Sequence, residues 1–407
     1  MNSSRVSVPS GTTVALDIVN GDLEIGEHVT AKGTGSPPRV KVNGTVHCEG
    51  HNTFDCTLSA QELEAEDSVT VQGDLEIDKD VEVENGRLAV YGKMTAKDVD
   101  VDHAVYVSKD FMVEEVDVGG SLEVEGNTKA KDIEVGGTFE AKGEVTARSV
   151  EVGGTLVIES KVNIESLDVG GAASIAGGKI VEIDVGGTFK STASLEFEDI
   201  DVGGTVHLAG KNKGEDIEVG GTLKVKGDLE FREVEVGGTI EIEGLAQGAG
   251  MEVGGTVDVN GPLKLSGSLQ VGGRVDISGE VSTGSIEVGG ALRARKATAI
   301  EHVEVGGSIN TGEGVTARSV EIGSRGKVHG PLRADEIVVG KGAEVEDLYG
   351  KHVLLKTGAS AENVYSENVT VESYCNIRGE VQYTNEFRQG EHVSLAKAPR
   401  RVDTLPL

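Results

Sequence analysis

Four residues near the N-terminus, His47, Cys48, His51 and Cys56, have the residue types of a zinc site. Zinc takes imidazole nitrogen and thiolate sulfur in a tetrahedron. Strand alternation works against a shared metal here, because it places Cys48 on the same side as Val46 and His47 on the other. The four are therefore weak metal candidates, and a buried cysteine beside a surface histidine is the plainer reading. The remaining histidines, among them His28, His103, His207, His302, His329, His352 and His392, follow no common period. No Ser-His-Asp grouping, no carboxylate pair that stands out from the general acidity and no G-x-S-x-G element can be assigned. The chain is expected not to be an enzyme, with no catalytic residue and no cofactor. A third cysteine, Cys375, makes an odd number at irregular spacing, which describes no disulfide framework and fits a reducing, cytoplasmic setting.

Acidic residues are the commonest reactive groups. Asp and Glu number 69 against 38 Lys and Arg, for a formal charge of −31 over 407 residues. Such a chain is a poor partner for nucleic acid, which needs cations against phosphate, and for anionic lipid. The N-terminal residues hold no apolar stretch of the length a signal peptide or membrane span requires, so a soluble protein without a direct membrane span is expected. Acids also recur at fixed places: Asp117, Glu134, Glu151, Asp168, Asp184, Asp201, Glu218, Glu235, Glu252, Glu287 and Glu304 each precede a Val-Gly-Gly, with Gln270 the exception. Stacked one above another they form a carboxylate ladder, in which neighbours repel by about 0.9 kcal/mol in water before screening. Solubility and protection against sideways aggregation account for such a ladder; the sharper reading is a cation-binding or docking face.

The element that positions this ladder is a repeat. Val-Gly-Gly occurs at Val118, Val135, Val152, Val169, Val185, Val202, Val219, Val236, Val253, Val271, Val288 and Val305, then degenerates at Ile322 and Val339. Upstream, Asn-Gly stands in the same phase after Val19 and Val42 and near Val83. Within one unit the apolar residues Ile133, Val135, Phe139, Ala141, Val145, Ala147 and Val150 come as pairs two apart. That is the spacing of short strands with one face inward, and no helical stripe is present. Three strands and three corners per unit trace a triangular coil, in an array of roughly twenty coils over residues 13–383. The fold class is all-β, a parallel β-helix or solenoid, and at strand spacing the array would be on the order of 100 Å long. Segments 33–39 and 49–60 read as loops extruded from a coil.

The glycine pairs Gly119 and Gly120, Gly136 and Gly137, Gly153 and Gly154, and Gly203 and Gly204 read as structural corners. The expectation is that both members have φ > 0, which Gly and Asn tolerate. No P-loop Lys-Ser/Thr follows any of them. The organisation expected is an N-terminal segment (1–12), irregular coils (13–117), regular Val-Gly-Gly coils (118–340), C-terminal coils (341–385) and a tail or cap (386–407). Tyr365, Tyr374, Tyr383 and Phe387 are the candidate end interface, since an open terminal coil is a template for another.

Coils of about 17 residues with Val-Gly-Gly-Thr corners, as at Val135-Gly136-Gly137-Thr138, resemble the bactofilins, a family of polymer-forming cytoskeletal proteins. The resemblance implies a right-handed β-helix that assembles end to end into non-polar filaments without nucleotide. The chain departs from that family in its number of coils and its acidity. The 17-residue unit also differs from the strict steps of six in left-handed acyltransferase helices. The reading is a self-assembling scaffold whose partner is itself, with other scaffold or envelope-associated proteins as further partners. The alternative is a solenoid that does not polymerise and docks protein or polysaccharide on its flat faces.

Overall fold

A computed structural model describes residues 4–406. Two compact units, Met1–Gly203 and Gly204–Leu407, are each a parallel β-solenoid. In the first unit one coil runs through Asp132–Val135 and Thr138–Ala141 and into Val145–Val152, which bends onto the next coil. These segments define three faces, here A, B and C. Each strand pairs in parallel with the equivalent strand one coil away: on face A, Val116 lies opposite Ile133 and Ile133 opposite Val150. The seven apolar residues of this coil are all buried, and they line a narrow lumen. Alternation explains the arrangement, because each β-branched or aliphatic residue points in while the polar residue beside it points out. Few aromatics are needed, and Phe54, Phe111, Phe139 and Phe189 fill the lumen without exposure.

The second unit repeats the pattern. Asp216–Val219, Thr222–Lys226 and Leu229–Glu230 occupy faces A, B and C of one coil. Ile217 lies opposite Val234, Leu223 opposite Ile240 and Leu229 opposite Ala246 on the next.

Three features differ from the sequence expectation. The glycine pairs do not have positive φ: among the described residues that conformation occurs elsewhere, at the non-glycines His28, His51, Asn85, Arg325, Tyr374 and His392 and at glycines outside the Val-Gly-Gly pairs such as Gly11, Gly21, Gly342 and Gly358. Asn20 and Asn43 do not share it either; Asn43 instead donates its side-chain amide to Asn20 at 2.9 Å. Glycine is required at the Val-Gly-Gly corners for space. A Cβ on Gly170 would lie 2.5 Å from the carbonyl oxygen of Gly153, and Gly136, Gly153 and Gly154 meet the coil beneath in the same way.

Residues 49–60 are not a loop. Asn52–Asp55 and Thr57–Ala60 are strands in register with Val69–Val71 and Leu75–Ile77, and Phe54 and Leu58 are wholly buried. Only the segment around 34–39 is extruded, closed by an antiparallel bridge between Thr34 and Arg39. Finally, the coils begin before residue 13 and continue past residue 385. Ser4–Val8 pairs with Gly21–Ile25, and Arg400–Arg401 pairs with Gln382 and Tyr383.

Candidate functional site

The four zinc candidates do not converge. Cys48 sits in the lumen, in register with Ile25 and Ala65, and burial pushes its thiol pKa up to about 12. His47 projects from face A, where its Nδ1 lies 2.8 Å from Glu64. His51 is at a left-handed corner, stacked on His28 at 5.0 Å, with Nε2 3.6 Å from Asp67. Cys56 lies on a different strand junction, and burial raises its thiol pKa too. Among the described residues no group of three or more His, Cys, Asp or Glu side chains is placed to hold a metal.

Face A carries the acids, and in the first unit it carries them in two columns. The first column includes Asp98, Glu115 and Asp132. Each has a cation at hand: Lys97 at 3.0 Å from Asp98, Lys131 at 3.7 Å from Glu115, and Arg148 on Asp132. The second column contains Glu82, Asp100, Asp117, Glu134, Glu151, Asp168, Asp184 and Asp201, each in direct register with the next. Among the described residues none of these eight has a Lys, Arg or His within ion-pairing distance. Partial burial, then the charges of Asp117 and Asp102, raise the pKa of Asp100 above the ordinary carboxylate value.

In the second unit the column runs Glu218, Glu235, Glu252, Gln270, Glu287, Glu304 and Glu321, and Val338 ends it. Here His302 reaches Glu287 at 3.0 Å and Lys356 reaches Glu321 at 3.4 Å. The expected ladder thus exists in each unit, on a flat face beside the glycine corner. Its carboxylates stand side by side along strands, one per coil.

The candidate end residues separate. Tyr365 is on the flank of face C, stacked on Tyr349 at 5.1 Å, with the Arg333 guanidinium 4.0 Å above the Tyr349 ring. Tyr374 occupies a left-handed corner over His392. Phe387, in register with Val369, ends face A, whereas Tyr383, in register with Ser366, is covered in turn by Arg401; the two rings are 5.9 Å apart.

Sequence reasoning missed the first coil. Strands β1 (Ser4–Val8), β2 (Thr13–Leu16) and β3 (Ile18–Val19) pair inward only, and no described strand lies on their outer edges. Val6, in register with fully buried Leu23, is 39% exposed, and Val14 and Leu16 are half-buried. The signal was present, since Val6-Ser7-Val8 precedes Leu23-Glu24-Ile25 by one coil length.

The fold and its columns define a parallel β-solenoid with an acidic flat face. Compared with protein-family models, with curated proteins and with solved structures, the chain has no match in any of the three. No helix among the described residues is long and apolar enough to cross a membrane.

Proposed function

We propose that the chain is a non-catalytic structural scaffold that associates with copies of itself through a terminal coil of its solenoid. The observation that carries this reading is the first coil. Its lumen-facing Val6, Val14 and Leu16 are left partly exposed, and the outer edges of β1, β2 and β3 have no strand partner among the described residues. An unpaired edge over an open apolar lumen is a template for another chain. End-to-end polymer is the form that the bactofilin resemblance implies. A cytoplasmic setting is supported by three cysteines that are all free and buried. Sedimentation and electron microscopy of the purified chain across a hundredfold concentration range test the proposal. Assemblies that grow with concentration are expected; a single-chain species throughout would sink it.

A second reading rests on the unneutralised column of face A. Eight carboxylates in register without a cation suit a flat docking face for a cationic partner protein. Salt-sensitive capture of such a partner by a chain that stays single would favour this reading over the first.

A further inference from the structure

Resting on the self-association reading, we infer that the joint between copies is directional: the last coil of one chain is followed by the first coil of the next, so every copy points the same way. This differs from the non-polar order that the bactofilin resemblance implies. The observation is a left-handed corner that occurs at both ends. Between faces A and B, Gly11 (φ 72°) and His28 (φ 56°) hold it in the first two coils, and Tyr374 (φ 64°) and His392 (φ 55°) in the last two. The chain resumes alike after each. Val14, Ala31, Ile377 and Leu395 stand three residues on, Val14 in register with Ala31 and Leu395 with Ile377.

This corner has a donor side and an acceptor side. The N–H of its left-handed residue donates forward, to the carbonyl just before the left-handed residue of the next coil: Gly11 to Glu27 at 2.8 Å, His28 to Gly50 at 3.0 Å and Tyr374 to Glu391 at 3.0 Å. Among the described residues the His392 N–H has no acceptor, and the carbonyl of Ser10, just before Gly11, has no donor. A second copy set on the last coil in the same register supplies the Ser10 carbonyl to the His392 N–H. Joining two first coils would set acceptor against acceptor, and joining two last coils donor against donor.

The lumen and the charges fit the same order. On face A, Phe387 ends the lumen column of Val369 and Val6 begins that of Leu23, each at the first inward place of its strand. The joint therefore lays Phe387 on Val6 and sets Glu386 beside Arg5. On face C, Asp17 ends the lumen column of Val40 and Leu58, and Arg400 and Arg401 close the last coil. A charge at a buried edge is costly unless it meets its opposite, and the joint brings Asp17 against these two guanidinium groups. Residues 386–402 hold four cations, Arg388, Lys397, Arg400 and Arg401, against two acids, Glu386 and Glu391, so two last coils repel each other. A heterologous joint of this kind extends instead of closing.

Light scattering over a concentration series, on the full chain and on two variants, tests the direction. Val14→Asp blocks the first coil and Leu395→Asp the last. The unaltered chain should grow past two copies, and each variant alone should stay at one. Their equimolar mixture should reach two copies, because one sound end of each kind remains. Hydrogen–deuterium exchange on the unaltered chain, which requires no variant to fold, should slow about tenfold with concentration at residues 4–19 and at 386–402 alike. A dimer of Leu395→Asp alone, or protection confined to residues 4–19, means that first coils meet each other and overturns the inference. A dimer of Val14→Asp alone, or protection confined to residues 386–402, overturns it in favour of last coils. So does a mixture that fails to pair while both variants keep the exchange pattern of the unaltered chain. These results leave self-association standing, whereas a single-chain mass of the unaltered chain at every concentration removes both.

Discussion

At the scale of single residues the lumen is where the structure makes its sharpest demands. Thr128 follows Phe111 and precedes Val145 in one lumen column of face C, is 1% exposed, and its hydroxyl has no hydrogen-bond partner. Leaving a buried hydroxyl unpaired costs about 1–3 kcal/mol. Thr128→Val keeps the shape and removes the hydroxyl, so it should stabilise the chain by about 1 kcal/mol. A urea midpoint that rises without a change in slope would bear this out, and an unchanged or lower midpoint would refute it. Cys48, Cys56 and Cys375 are likewise closed off, and burial is the first cause of the raised pKa of each thiol. The native chain should therefore react negligibly with a thiol reagent at pH 8, and with all three cysteines once unfolded. Rapid labelling of any of them in the folded state would contradict the lumen placement.

At the scale of the element, the corner separates two reasons for glycine that look alike in sequence. Gly153 has no positive φ, but a Cβ there would collide with the Gly136 carbonyl oxygen. Gly342 has φ of +67°, and its nearest neighbour to an added Cβ is 3.8 Å away. Gly342→Asn should then be nearly neutral, because Asn tolerates the left-handed region, whereas Gly153→Asn should cost at least the roughly 1–3 kcal/mol of an overpacked site. Equal tolerance at both positions in thermal melts would show that the crowding argument is wrong. Sequence could not make this distinction, since the clash is with a residue 17 positions away and exists only once coils are stacked. What sequence did show was the inward pairs such as Ile133 and Val135, because alternation is a local property of a strand. Residues 49–60 were misread for a related reason: Asn52, Cys56 and Thr57 are buried polar or soft side chains that hide the alternation around Phe54 and Leu58. The first coil escaped notice because a single Val-x-Val gains meaning only from its register with Leu23 and Ile25.

At the scale of the whole chain the deciding quantity is charge. The acids of the second column repel one another in the folded state and are farther apart in the unfolded chain, so they oppose folding at neutral pH. Asp100 stands in that column, and partial burial first, then the charges of Asp117 and Asp102, raise its pKa, so the folded chain holds its proton where the unfolded chain has lost it. Stability from that group is present at low pH and is lost as pH rises through the folded pKa. Glu62, Glu346, Glu372 and Glu380 act oppositely. Hydrogen bonds from Lys79, from the Gly330 backbone, from Thr357 and from Lys397 respectively lower their pKa values. Their contribution is present above the ordinary carboxylate range and is lost only as pH falls through their folded pKa values. The melting temperature should therefore rise as pH is lowered from 8 toward the ordinary carboxylate range, then fall below it. Asp100→Asn should raise the melting temperature at pH 8 and lose that advantage in acid. Added salt should act in the same direction at pH 8, because the Debye length shrinks from about 30 Å at 0.01 M to about 3 Å at 1 M, shorter than the spacing of coils. A melting temperature that falls steadily from pH 8 to pH 5, or that salt leaves unmoved at pH 8, would mean that the ladder is neutralised by something other than solvent.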